Sequence, residues 1–187
     1  MSYHRGSAVV VRSSCDRGAD WAVLGAVFFP GSWGPPLLNV FVDADGCPVK
    51  DAVYRVAKRY GLKVFLVANS RMRAPEGAWL EQIVVGGHLD AADDWIVEHV
   101  EEDDIVITGD IPLASRCIHK GAQVLGLKGH PFTEDNIGGV LATRDLLSQL
   151  REQGAKTRGP DPFEKQDRSR FLERLDAMIH AIRRGQN

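Results

Sequence analysis

Asn39-Val-Phe-Val-Asp-Ala-Asp-Gly-Cys-Pro48 joins a short apolar run to two carboxylates, a glycine and a proline. β-Branched Val40 and Val42 around Phe41 read as a buried strand, and Pro48 stands where a helix takes its first residue. Asp43 and Asp45 therefore fall at the carboxyl end of a strand, the edge at which open α/β sheets bind ligands. Two residues apart, they leave the chain on the same side. An Asp-x-Asp pair also suits a turn or a helix cap, and the rest of the chain separates the two readings.

Beyond Pro48, Val49, Val53, Val56 and Tyr60 fall at helical spacing, with Lys50, Asp51, Arg55, Lys58 and Arg59 on the other face and Gly61 as the stop. Lys63 to Asn69 reads as a second buried strand, so strand, helix and strand form a βαβ unit in a largely parallel sheet. Ser70-Arg-Met-Arg-Ala-Pro75 is the loop after it, placing Arg71 and Arg73 at the same edge as the acidic pair. Gln82 to Val85 is a short third strand. Asp90 suits the N-cap of a helix from Ala91 to about Glu101, with Asp93 and Asp94 in its first turn, where the helix dipole favours acids. Ile105 to Thr108 is a fourth strand. It also ends at an aspartate, Asp110, and Pro112 opens the next helix. Gln123 to Leu127 is a fifth strand, Thr133 starts a long helix through Leu150, and Gln166 to Arg184 reads as a last amphipathic helix. The expected fold is thus α/β, with a mainly parallel sheet of about five strands.

The 187 residues suit one domain, 39–187, ending in a C-terminal helical tail. Residues 1–38 show no sustained period and end in a Pro35-Pro36 break. They read as a disordered extension outside the fold, or even as sequence upstream of the true start. Hydrophobic content of 44% and charged content of 26% are ordinary for a globular protein. Residues 40–150 hold 11 basic and 17 acidic side chains, residues 151–187 nine and six, an acidic middle with a basic end that suits a cation site beside a polyanion surface. Cys15, Cys47 and Cys117 are far apart, which indicates neither a disulfide framework nor a zinc cluster and fits a reducing cytoplasm. The longest apolar stretch, Trp21 to Phe29, is far short of the roughly 20 residues of a membrane span. Cys47 stands where a helix N-terminus can lower a thiol pKa, but no histidine neighbours it in sequence and it reads as structural.

Carboxylates converging on one cleft repel one another and titrate as a coupled set, unless a divalent cation neutralises them. Oxygen ligands without Cys or His at ligand spacing point to Mg²⁺ or Mn²⁺. Such an ion binds substrate phosphate and activates water, so phosphodiester hydrolysis is the expected chemistry.

Val42-Asp-Ala-Asp-Gly-Cys-Pro48, Val67-Ala-Asn69, Asp90-Ala-Ala-Asp93-Asp-Trp-Ile96, Thr108-Gly-Asp-Ile-Pro-Leu-Ala114, Phe132-Thr133 with Asn136-Ile137, Arg144-Asp145 and Gly159-Pro160 with Asp167-Arg168 occur in order. Together they closely resemble the bacterial YaiI/YqxD family, from about Val40 to the C-terminus. That family looks like a branch of the PIN-like superfamily, and the resemblance implies a three-layer α/β/α sandwich and Mg²⁺- or Mn²⁺-dependent ribonuclease chemistry at an aspartate cluster. By position it implies Asp43 and Asp110 after the first and fourth strands, Asp90 and Asp93 between them, and Asp45 as the second aspartate of the first motif.

The reading that follows is a nuclease acting on RNA. Asp43, Asp93 and Asp110 hold the metal, while Asp45 and Asp90 help to ligate it or position water. Thr108 bonds a ligand carboxylate, and Asn69, Arg71 and Arg73 meet the substrate. Two alternatives stand beside it. A haloacid-dehalogenase-like phosphatase also places Asp-x-Asp after a first strand, with Ser70 imitating its phosphate-binding hydroxyl, but no lysine stands at a convincing position. A non-catalytic RNA- or nucleotide-binding protein would rely on Arg158, Lys165, Arg168, Arg170 and Arg174.

Overall fold

A computed structural model describes residues 9–11, 38–86, 88, 90–154 and 161–185 of the chain. Its strands are β1 (Val9–Val11), β2 (Asn39–Asp43), β3 (Lys63–Ala68), β4 (Leu80–Val84), β5 (Ile105–Ile107), β6 (Gln123–Leu125) and β7 (Pro131–Phe132). Its helices are α1 (Lys50–Tyr60), α2 (Ala91–His99), α3 (Ile111–Ile118), α4 (Glu134–Glu152) and α5 (Lys165–Arg183). Strands pair in the order β1-β4-β3-β2-β5-β6-β7. The five from β4 to β6 are parallel, and β7 and β1 close the two edges antiparallel.

The five strands expected from the sequence are the parallel ones. The two edge strands are additions. β7 is two residues long and contains a proline, which edge positions tolerate because no ladder donor is lost on the open side. β1 pairs Val9 with Val84 and Val11 with Gln82. Three residues of the stretch expected outside the fold therefore belong to its sheet, and the rest of residues 1–37 lie outside the described residues. The first helix begins at Lys50 with Val49 in the N-cap position, so Pro48 precedes it instead of opening it.

Alternation along the strands sorts the buried side chains into two clusters. Val40, Val42, Val64, Leu66, Ile105 and Ile107 pack against α1 and α5. Phe41, Val67, Ile83, Val106 and Val124 pack against α2, α3 and Ile137 of α4. Near-continuous apolar strands are what a sheet covered on both faces requires. Phe171, Leu175 and Ile179 of α5 are at most 1% exposed, and such burial is worth about 1.5–3 kcal/mol per side chain. α5, expected as a tail, is thus part of the core.

One buried carboxylate is structural. Asp104, 3% exposed, accepts the backbone N–H of Asn39 at 2.9 Å and that of Glu101 at 3.0 Å, tying the start of β2 to the turn before β5. Burial raises its pKa against these bonds. Asp104→Ala leaves both donors unpaired and should cost about 2 kcal/mol in denaturant unfolding. A loss below about 0.5 kcal/mol would contradict that role.

The topology has one switch point. From β2 the chain winds outward through β3 and β4, then crosses back to β5 and β6 on the other side. Crevices outside the carboxyl ends of strands open at such points, and here that place lies between Asp43 and the segment after Ile107.

Candidate functional site

A cleft of about 370 Å³ opens there, lined by Asp43, Asp45, Asn69, Asp90, Ala92, Asp93, Gly109, Asp110 and Leu127. All five aspartates singled out from the sequence line it. They arrive from separate pieces of chain: the end of β2 and its following turn, the start of α2, and the start of α3.

Thr108 organises the centre. Val42 pairs with Ile107 in parallel register, which brings Asp43 beside Thr108. The threonine is fully buried. Its Oγ1 accepts the backbone N–H of Asp110 at 2.9 Å and donates to Asp43 Oδ2 at 2.8 Å. Accepting from an amide leaves the hydroxyl proton only the outward direction, so that proton is committed to the Asp43 carboxylate. Asp110 is fixed in turn because its Oδ1 accepts the N–H of Leu113 at 2.9 Å as the N-cap of α3.

Two further aspartates differ in how they are held. Asp45 is exposed, and its Oδ2 accepts the backbone N–H of Asn69 at 2.9 Å, joining the turn after β2 to the end of β3. Asp90 occupies the N-cap position of α2, yet its side chain makes no capping bond. The capping role expected from its place in the sequence is therefore unfilled, and its carboxylate lines the cleft.

Like charges in a confined space leave a mark on protonation. Burial pushes the Asp43 carboxyl above its ordinary value; the Thr108 hydrogen bond opposes this, and the carboxylates of Asp45 and Asp110 add to it. Asp93 is pushed up to about 6, first by burial and then by Asp110, Asp43 and Asp90, with Arg116 opposing. Arg116 itself pairs with Asp94, NH2 to Oδ1 at 2.7 Å, bridging α3 to the first turn of α2 on the outer side. Asp94 is thus an ion-pair partner outside the cleft.

Thr108→Val should cost about 1–2 kcal/mol, because it strands the Asp110 amide and one oxygen of Asp43. It should also move the Asp43 titration further up, as seen by carboxyl NMR, while Thr108→Ser retains both properties. An unchanged titration in the valine variant would contradict the committed hydrogen bond.

Three features of the cleft escaped the sequence reading. Leu127 closes one side from the loop after β6, and Gly109 faces it so closely that an added Cβ would stand 2.9 Å from Leu127 Cδ1. Ala92, in the first turn of α2, is buried and lines the cleft. The available signal was positional, since every loop after a parallel strand lies at one edge. Conversely, Arg71 and Arg73 are exposed on the loop after β3 and do not line the cleft. Cys47 is 4% exposed with its thiol pushed up to about 11 by burial, so the thiolate that a helix start can favour does not form.

Among the described residues, no group of three or more His, Cys, Asp or Glu side chains is set to hold a metal ion, and no helix is long and apolar enough to cross a membrane. The donor set is nonetheless of one kind: carboxylate oxygens, with backbone and amide groups of Asn69 adjoining.

Comparison with known proteins gives a consistent picture. A family model described as "Uncharacterized BCR, YaiI/YqxD family" matches residues 41–181. A UPF0178 protein of Rhodospirillum centenum is 53% identical over 153 residues, covering 80% of this chain and 99% of the relative. A UPF0178 protein of Nitrobacter winogradskyi is 52% identical over 147 residues, 79% of this chain and 94% of the relative. One of Paramagnetospirillum magneticum is 53% identical over 148 residues, 79% and 98%. No solved structure matches the chain.

Proposed function

The chain belongs to the YaiI/YqxD family, and from that premise we propose that its acidic cleft holds Mg²⁺ or Mn²⁺ and hydrolyses RNA phosphodiester bonds. The observation that carries this reading is the convergence of Asp43, Asp90, Asp93 and Asp110 on one cleft at the switch point of the sheet. The fold that accompanies it is a three-layer α/β/α sandwich of PIN-like type, with α1 and α5 as one outer layer and α2, α3 and α4 as the other.

The donor set fits a hard divalent cation in chemistry, because only oxygen ligands line the cleft and their mutual repulsion needs a counter-charge. Asp43, Asp93 and Asp110 would hold the ion, with Asp90 beside them. When bound, the ion binds a substrate phosphate oxygen, lowers the pKa of its water and stabilises developing charge on attacking and leaving oxygens. The protein's own contribution is orientation. Thr108 orients the Asp43 carboxylate and its hydrogen bond favours the ionised form, the α3 backbone fixes Asp110, and the Asn69 amide anchors exposed Asp45, which helps to position water.

Among the described residues no lysine lines the cleft, which weighs against an aspartyl-phosphate mechanism of the haloacid-dehalogenase kind. Two buried free cysteines suit a reducing compartment such as the cytoplasm. The direct test is incubation of purified protein with RNA in Mn²⁺. Cleavage that EDTA abolishes is expected; intact RNA over a range of substrates and Mn²⁺ concentrations overturns the proposal.

A further inference from the structure

The cleft carries a difficulty for any nucleic acid. Among the described residues its lining holds five aspartates and no lysine or arginine, so beyond the one phosphate that a cation can neutralise, a polyanion is repelled. Attraction must come from outside the lining.

Two cationic rims flank it at the same sheet edge. On the β3 side, Arg71 and Arg73 are exposed, and the residue between them is pinned. Met72 has its carbonyl held by Gln82 Nε2 at 3.2 Å and its sulfur 3.6 Å from Lys50 Nζ. On the β6 side, the loop that carries Leu127 into the cleft is locked to the start of α5. Arg170 NH1 donates to the Lys128 carbonyl at 3.5 Å and lies 3.2 Å from His130 Nε2. Lys128 Nζ donates to the carbonyls of Asp161 and Pro162. At Gly129, φ +78°, a Cβ would stand 2.6 Å from the Phe171 nitrogen. Lys165 and Arg168 therefore sit in the first turn of α5 beside this loop, both exposed. None of Arg71, Arg73, Lys165 and Arg168 forms an ion pair among the described residues. β3 and β6 are three strand spacings apart with β2 and β5 between them, or about 14 Å at the sheet.

We infer that a single-stranded RNA lies across the carboxyl edge from the Arg71–Arg73 loop to the start of α5, its flanking phosphates held by the two rims and one phosphodiester over the aspartates. This deepens the hydrolytic reading and rests on it for the place of the scissile bond. It assigns the substrate as a polymer: a dinucleotide presents one phosphate to the repelling cleft and none to either rim.

The test is fluorescence anisotropy of the full chain with Ca²⁺ in place of Mn²⁺, so that the cleft carboxylates are neutralised without Mn²⁺-dependent cleavage, and a labelled single-stranded RNA of about 12 nucleotides. Tight binding with a steep salt slope is expected. Arg73→Gln on one rim and Arg168→Gln on the other should each weaken it severalfold and flatten the slope by about 0.7, the single-strand value for one lost phosphate contact. Arg59→Gln, at the opposite end of α1, should change neither, and a dinucleotide should not compete. Binding indifferent to both rim variants, or a dinucleotide that competes as well as the polymer, overturns the inference. Rim-dependent binding by a protein that cleaves no RNA in Mn²⁺ instead overturns the hydrolytic reading and leaves the RNA path standing.

Discussion

Asp43→Asn should abolish Mn²⁺-dependent RNA cleavage, with a fall on the order of a thousandfold, or about 4 kcal/mol of barrier, while raising the melting temperature. The two effects have one cause. Burial first, and then the carboxylates of Asp45 and Asp110, push the pKa of Asp43 up against the Thr108 hydrogen bond. Asparagine keeps the shape and still offers Thr108 an acceptor, but it removes the charge that the site spends stability to keep. Activity and stability therefore move in opposite directions. Asp110→Asn should lose activity similarly, while its amide oxygen still accepts from Leu113 and keeps the cap of α3. Asp94→Asn is the control: Asp94 pairs with Arg116 outside the cleft, and an exposed pair is worth less than about 1 kcal/mol. Cleavage that survives Asp43→Asn, or a variant that loses activity only because it unfolds, contradicts this account.

The second large effect is in the pH dependence of stability. Asp93 has a pKa of about 6 in the folded protein, against about 3.9 for an unperturbed aspartate. The folded state therefore binds this proton more tightly than the unfolded state. Stability tied to it is present below about pH 4, is lost as pH rises towards 6, and stays lost above. Lowering the pH from about 7.5 to about 5 should raise stability by about 1 kcal/mol after allowance for solvent screening of a partly exposed group. That is about 2–4 °C in melting temperature. Asp93→Asn should remove the rise. Saturating Mn²⁺ at pH 7.5 should reproduce it, because a bound cation stabilises the ionised form by mass action. A melting temperature that falls steadily on acidification, or ignores Mn²⁺, would show that the carboxylates do not share one field.

Most of the fold was legible in the sequence because the parallel strands are apolar runs that stop at polar turns. Asn39–Asp43 and Ile105–Ile107 could be read individually, and their shared ending in an aspartate placed them at one edge. β1 and β7 were not legible. Three valines in a polar stretch and a Pro-Phe pair carry no periodicity, and each becomes a strand only because an edge of the sheet is available to pair with it. The start of α1 was misread by two residues, since a proline before a helix can occupy the turn as well as the first helical position.

The site was legible as a set of acids and not as an arrangement. Spacing put Asp43, Asp45 and Asp110 at one edge, and the family resemblance added Asp90 and Asp93. It could not show that Asp90 forgoes its capping bond while Asp110 keeps one. Nor could it show that Thr108 is oriented by the Asp110 amide. Arg71 and Arg73 were placed at the correct edge, but loop geometry decides that they flank the cleft instead of lining it. Leu127 escaped notice because it was read as the end of the fifth strand, whereas that strand stops at Leu125 and Leu127 lies in the loop after it.

The central claim is that Asp43, Asp93 and Asp110 share a divalent cation. Crystals soaked in Mn²⁺ test it most directly through anomalous scattering. A peak in the cleft with carboxylate oxygens of these three residues at about 2.1–2.3 Å is the predicted result. A cleft without a peak at saturating Mn²⁺, or a peak held elsewhere, such as by Glu101 and Glu102, would contradict it.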